Sequence, residues 1–177
     1  YALYDKQGNF LSGVEAISGL SKDRDSALSA MLSTQYSASP DGRHLCVTNL
    51  ATPTISFASV SGDKLQEVKR IQSSFDAEKE AHGRTAKSYF NGVVSDGKYV
   101  YVLYSGRRLT DREMSPNECS HLLVYDWNGN IKHHYVLSRP VCSICLTDDG
   151  FYAVSTWPSG KLLHFVLEEC AGLFQKS

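Results

Sequence analysis

The chain has 177 residues, of which 42% are hydrophobic and 21% charged, and this composition is typical of one globular domain of ordinary size. Eighteen basic and nineteen acidic side chains give a formal charge of -1, so no sequence-wide positive field favours nucleic acid as a partner. No apolar run approaches the roughly 18 residues of a membrane-spanning helix, and we predict no membrane span.

The first ten residues contain the pattern Tyr-Asp-x-x-Gly-Asn, which returns at residues 125–130. A related turn surrounds Gly62, and the three turn glycines, Gly8, Gly62 and Gly129, are 54 and 67 residues apart. Each turn lies between two apolar runs. Asn128-Gly129 predicts a two-residue hairpin loop, because both residue types tolerate positive φ.

A second kind of turn joins two apolar strands through an acidic residue and a glycine. It occurs in residues 36–49, 91–104 and 142–156. Its glycines, Gly42, Gly97 and Gly150, are 55 and 53 residues apart. The sequence from Ser39 to Gly42 fits a type I turn with proline in the second position. Recurrence at this period indicates an internal repeat.

Each repeat contains enough apolar runs for four antiparallel strands. In the best-defined unit we predict strands near 89–95, 98–105, 120–126 and 130–137. The second of these is almost continuously apolar, as expected for a strand covered on both faces, whereas the last is more polar. We therefore predict an all-β fold: a β-propeller of four-stranded antiparallel blades, with about three blades in this chain. A β-sandwich or open sheet is the alternative, but neither requires such a repeat.

The strand count predicts a single partial propeller domain over residues 1–177. Its parts are a half blade at 1–17, blades at 36–71 and 89–137, and an incomplete last blade at 140–167. A ring of six such units needs roughly 300 residues or more. We expect either a missing propeller half or a head-to-tail homodimer partner to complete the ring.

The stretch from Leu122 to Asn130, followed by 135–140 and 142–155, resembles the closing blades of the TolB-like six-bladed propeller family of Bacteroidetes-type bacteria. The resemblance covers about residues 36–169 and rests on structural motifs. It implies an extracytoplasmic protein, which is periplasmic, secreted or lipid-anchored in its full-length form. It supplies no catalytic signature for any position of this chain.

Cysteines and histidines give no strong chemical motif. Cys142 and Cys145 have redox-type spacing, but they fall on a predicted inner strand without a helix N-terminus, so we expect two small residues packed between blades. His133 and His134 are predicted on an outer strand, with one ring facing solvent and the other a neighbouring blade. We predict no metal site, no cofactor and no catalytic residue.

The long connections at 18–35, 72–88 and 106–119 are predicted to emerge on one side of the disc, where function concentrates. They contain five cations that we select as a rim for an anionic group or an acidic partner surface. These are Arg84, Lys87, Arg107, Arg108 and Arg112. The alternative for any one of them is an ordinary solvated surface charge.

The predicted propeller with its loop-rich face is compatible with two functions. The first is a binding or scaffolding module of the bacterial cell envelope whose loop-rich face engages a protein, a peptide or a glycan. The second is a lyase or hydrolase with its site in the central channel, completed by residues of the missing blades. The fold does not decide between them.

Overall fold

We describe residues 1–14, 34–73, 86–110, 117–155 and 160–166 of a computed structural model of the chain. Every regular element in these ranges is a β-strand, which confirms the predicted all-β class. The thirteen strands form four antiparallel sheets, two of them four-stranded. The sheets do not close into a complete ring.

The sheets follow one another along the chain, and each is a meander in sequence order. Sheet A contains β1 (Ala2–Tyr4) and β2 (Phe10–Gly13). Sheet B contains β3 (Thr34–Ala38), β4 (His44–Asn49), β5 (Thr54–Ser61) and β6 (Lys64–Gln72). Sheet C contains β7 (Lys87–Ser95), β8 (Tyr99–Arg108), β9 (Cys119–Asp126) and β10 (Ile131–Val141). Sheet D contains β11 (Ser143–Thr147), β12 (Gly150–Ser155) and β13 (Lys161–Val166).

The apolar core has two layers, one on each face of sheet C. Val100 and Val102 are fully buried with Phe57 in the layer shared with sheet B. Leu103 and Leu122 are fully buried in the layer shared with sheet D. Each such side chain contributes about 1.5–3 kcal/mol by leaving water. Sheet C is therefore the central sheet of the described structure.

Burial within sheet C follows the order of its strands. The middle strands β8 and β9 are the most buried, as the apolar run from 98 to 104 predicted. The outer strand β10 exposes most of its residues, which agrees with its polar sequence. In sheet B the first strand, β3, alternates between exposed and half-buried positions.

The repeated Tyr-Asp-x-x-Gly-Asn motif forms the same turn in sheets A and C. The Asp126 carboxylate accepts backbone hydrogen bonds from Asn128 (3.0 Å) and Asn130 (2.8 Å), and the Asn130 side-chain amide donates to its second oxygen (3.1 Å). Asp5 accepts the equivalent three bonds from Gln7 and Asn9. The motif therefore encodes a carboxylate that organises the hairpin loop.

This loop has three residues, so the predicted two-residue hairpin at Asn128-Gly129 is wrong. The Asp126 N–H donates to the Asn130 carbonyl (3.0 Å), and the Gly129 N–H donates to the Asp126 carbonyl (2.9 Å). Gly129 has φ +72°, the left-handed residue that ends a type I turn in a three-residue hairpin. The carboxylate favours this turn because it receives the N–H groups of residues two and four positions later.

The turn of sheet C also packs against sheet B. The Trp127 ring stacks on His44, with centroids 5.5 Å apart and planes 24° apart. A Cβ atom on Gly129 would lie 2.8 Å from the Phe57 ring, so only glycine fits this contact. The same turn thus sets the hairpin register and the contact between sheets.

The end of β8 contains a β-bulge that the sequence analysis missed. Ser88 pairs with Arg107, and Phe90 pairs with Tyr104. The two pairs are therefore two residues apart on β7 but three residues apart on β8, which leaves one extra residue on β8. Gly106 lies in the bulge with φ +68°, and a Cβ atom there would lie 2.6 Å from the Tyr104 hydroxyl. Bulges redirect the side chains that follow them, here those of Arg107 and the next residue.

Replacing Asp126 with alanine removes three hydrogen bonds to a carboxylate, and we expect the free energy of unfolding to fall by about 1–2 kcal/mol. Urea denaturation followed by tryptophan fluorescence measures this loss. Asp63→Ala is the matched control, because Asp63 is an exposed aspartate in the turn of sheet B.

The loss should also depend on pH. Burial opposes ionisation of Asp126, but hydrogen bonds from Asn130 and the Lys132 ammonium lower its pKa to about 2. Because this pKa lies below the unfolded value of about 3.9, the stabilisation is complete above about pH 5 and is lost as the pH falls towards 2. The difference between wild type and Asp126→Ala should shrink over that range; a constant difference would contradict the assignment.

Gly106→Ala should cost about 1–2 kcal/mol, because alanine meets both the left-handed backbone and the Tyr104 hydroxyl. Gly97→Ala is the control, since a Cβ atom at Gly97 meets open space. We expect the control to stay within about 0.5 kcal/mol of wild type in the same urea experiment. Equal stability of the two variants would contradict the bulge.

Candidate functional site

The long connections leave the sheets at a common end, which we call the loop end. The strands that flank them finish or begin at Gly13 and Thr34, Gln72 and Lys87, and Arg108 and Cys119. In a meander of antiparallel strands all these positions lie at one end, and the tight glycine turns lie at the other, the turn end. The central parts of the three connections, with Arg84 and Arg112, lie outside the described residues.

Three of the five predicted cations lie at the loop end of sheet C. Lys87 is paired directly with Arg108 across β7 and β8, and Ser88 with Arg107. Because successive strand residues point to opposite faces, Lys87 and Arg108 share one face and Arg107 lies on the other. Two like charges at directly opposed positions disfavour each other, so this pair is suited to an anion between them. That role in binding stays a prediction.

A pair of histidines lies near Arg107, and the sequence analysis did not connect them. His121 Nδ1 and His134 Nε2 are 3.0 Å apart, within hydrogen-bond distance, on the neighbouring strands β9 and β10. Tyr104 lies beside His121, with ring centroids 5.9 Å apart. Burial, His134 and Arg107 together lower the pKa of His121, so this imidazole is neutral at neutral pH.

The prediction for His133 and His134 is partly wrong. Both side chains are exposed, whereas one was expected to pack against a neighbouring blade. His133 stacks on Tyr135 with centroids 5.7 Å apart, whereas His134 bonds to His121 within its own sheet. Val136, on the same strand, is also 59% exposed.

The cysteine prediction is partly wrong as well. Cys142 precedes β11 and is half-buried, and its thiol donates to the Val154 carbonyl (3.3 Å). Cys145 is exposed rather than packed between blades. Cys46 and Cys119 are buried, and burial raises the pKa of the Cys119 thiol to about 12. Cys46, Cys119 and Cys145 are free thiols.

Polar side chains on the inner strands connect neighbouring sheets. Ser37 and Ser95 hydroxyls are 2.7 Å apart, and Ser95 also donates to the Ala38 carbonyl. The Asn91 amide donates to the carbonyls of Asn117 (2.7 Å) and Cys142 (3.2 Å). The ranges of β3, β7 and β11 contain no Asp, Glu or His, and these hydrogen bonds join sheets B, C and D at their inner edges.

Two apolar faces remain uncovered by the described residues. A cavity of about 310 Å³ lies between sheets A and B and is lined by Tyr1, Ala2, Thr34, Tyr36, Leu45 and Val47. Tyr36 is 74% exposed there. On the far side of the molecule, Tyr152, Val154 and Leu162 are exposed on one face of sheet D.

Neither a membrane-spanning helix nor a metal-binding cluster of three or more side chains occurs in the described ranges. None of the described residues forms a helix with the length and apolarity needed to cross a membrane. Within those ranges, no three or more His, Cys, Asp or Glu side chains are grouped where they would hold a metal ion.

Comparison with known proteins gives the family. The model of the TolB-like 6-blade propeller-like family matches residues 32–149. Hydrazine synthase of Kuenenia stuttgartiensis is similar in structure, with a TM-score of 0.50 and 17% identity, over 76% of this chain and 34% of that chain. A candidate 6-phosphogluconolactonase of Bacteroides fragilis aligns with a TM-score of 0.38 and 10% identity, over 74% of this chain and 37% of its own.

The chain thus spans little more than a third of the length of these solved structures. A search of curated proteins gave no match. At 17% identity the first structural likeness concerns the fold alone, and it agrees with the propeller arrangement of sheets B to D. The family match extends from the start of sheet B into sheet D, so the chain belongs to the TolB-like 6-blade propeller-like family.

Proposed function

We propose that this chain is part of a binding or scaffolding propeller of the bacterial cell envelope, and that its loop end engages a protein, peptide or glycan. The observation that carries the proposal is the cationic end of sheet C, where Lys87 and Arg108 are directly opposed and Arg107 lies on the other face. All three belong to rigid strands and not to the connecting loops. A ligand would therefore meet prepositioned charges.

The favoured ligand carries carboxylate groups. Arginine forms bidentate hydrogen bonds with a carboxylate, and an anion between Lys87 and Arg108 offsets the repulsion of the two cations. Acidic peptides and acidic glycans both present such groups. Half-buried His121, which lies near Arg107, and exposed His134 add hydrogen-bonding nitrogens to the same region.

Membership of the TolB-like family supports an extracytoplasmic location, because its members are typically periplasmic. The full-length protein is then periplasmic, secreted or lipid-anchored.

Further blades complete the ring in this proposal, supplied by a missing propeller half or by a homodimer partner. The support is two exposed apolar faces, one on sheet B beside the two-stranded sheet A, with Tyr36, and one on sheet D, with Leu162, which is 70% exposed. Isolated apolar faces of this kind are typical of interaction surfaces. Sheet A also contains two strands, whereas sheets B and C contain four each, so further strands would complete it in the same pattern.

The binding proposal is tested with poly-L-glutamate and polygalacturonate as acidic probes and dextran as the neutral one. We expect the variant Lys87→Gln/Arg107→Gln/Arg108→Gln to bind an acidic probe at least about tenfold more weakly than wild type, since each charged contact contributes about 0.5–1 kcal/mol. Fluorescence titration of labelled probe measures the affinity.

A charge-matched control separates this surface from general electrostatics. Arg43→Gln/Lys64→Gln/Lys98→Gln removes three exposed cations at the turn end and should leave the affinity unchanged. Equal weakening in both variants, or wild-type binding of dextran alone, would contradict the assignment of the loop end.

A further inference from the structure

We propose that His121 and His134 form a two-imidazole site for a transition-metal dication such as Zn²⁺ or Ni²⁺. The site lies on sheet C, close to its loop end, and neither the family match nor the proposed binding of acidic ligands implies it. Water or donor atoms of a ligand would occupy the remaining coordination positions. The site is therefore open rather than a closed structural centre.

The spacing of the two ring nitrogens fits a chelate. Two nitrogens on one metal, each at about 2.0–2.1 Å, are separated by about 2.8–3.0 Å in adjacent octahedral positions and by about 3.3–3.4 Å in tetrahedral geometry. His121 Nδ1 and His134 Nε2 are 3.0 Å apart. Their ring planes are inclined by 47°, and metal binding replaces the nitrogen–nitrogen contact by rotation of the rings, so that both lone pairs point at the ion.

The strand scaffold holds this spacing before any metal arrives. Leu122 pairs with Tyr135 and Leu123 with His134 in continuous register, which places His121 and His134 on a diagonal of one face. Such diagonal neighbours are within reach of long side chains. The buried Leu122 and Tyr135 side chains on the opposite face anchor both strands, so little conformational entropy remains to be lost on binding.

A neighbouring charge weakens the site. The positive charge of Arg107 on β8 disfavours a second cation near His121. The Tyr104 ring lies beside the His121 ring, with centroids 5.9 Å apart.

The chemistry selects the class of metal. Neutral imidazole suits Zn²⁺, Ni²⁺ and Cu²⁺, whereas Mg²⁺ and Ca²⁺ prefer oxygen ligands. Since only two protein ligands are present, binding should be reversible and exchangeable. A ligand that brings a carboxylate or an amine to the open positions should bind more tightly in the presence of the metal.

Isothermal titration of the whole chain with ZnCl₂, under a phosphine reductant at pH 7.5, tests the site. We expect saturable binding that weakens at least about tenfold in His121→Ala and in His134→Ala. His133→Ala is the matched control, because His133 is the adjacent exposed histidine on β10 and should have no effect. Arg107→Gln should raise the affinity a few-fold by removing the neighbouring charge.

Three results would overturn the proposal: no saturable binding by wild type, unchanged affinity in His134→Ala, or an equal loss in His133→Ala. His134→Gln keeps a polar side chain of similar length and guards against loss through misfolding, and its circular dichroism should match wild type.

Discussion

Burial of both faces of sheet C is the interaction on which the other features depend. Val102 points into the layer shared with sheet B, and Leu103, its neighbour in sequence, points into the layer shared with sheet D; both are fully buried. A four-stranded sheet that is apolar on two faces has to pack against a sheet on each side. Because successive sheets each pack on both faces in this way, they form the propeller arrangement.

The turns organised by an aspartate carboxylate fix the register in which neighbouring strands pair. Asp126 fixes the hairpin of β9 and β10, and the same loop places Trp127 against His44 and Gly129 against Phe57 of sheet B. At the inner edge, Ser37, Ser95 and Asn91 join the sheets through hydrogen bonds. The scaffold is thus fixed at its turn end and along its inner edge, and the proposed binding surface lies at the loop end.

Much of the fold was predictable because it depends on local patterns. The apolar run at 98–104 and the repeated glycine turns located the strands of sheet C within a few residues of their observed bounds. The three-residue form of the Asp126 turn was not predicted, because Asn-Gly alone favours the two-residue hairpin. The longer turn depends on the Asp126 carboxylate, which accepts backbone N–H groups two and four residues later.

The candidate site was less predictable because it depends on register. Arg107 and Arg108 were grouped as one rim, yet strand alternation separates them, and the bulge at Gly106 decides which face each one takes. A glycine inside an apolar strand was a usable sign of that bulge. The approach of His121 to His134 needed the pairing of β9 with β10, which residue spacing alone does not give.

The contact between inner strands tests the propeller arrangement most directly. Ser37 and Ser95 are 58 positions apart in sequence, and their hydroxyls lie 2.7 Å apart across sheets B and C. In a Cys145→Ser background, the double variant Ser37→Cys/Ser95→Cys should form a disulfide under mild oxidation, and a Ser37→Cys/Ser143→Cys control should not. Mass spectrometry of peptides from the oxidised protein should find the 37–95 link; its absence, or an equally rapid 37–143 link, would contradict the packing of sheets B and C.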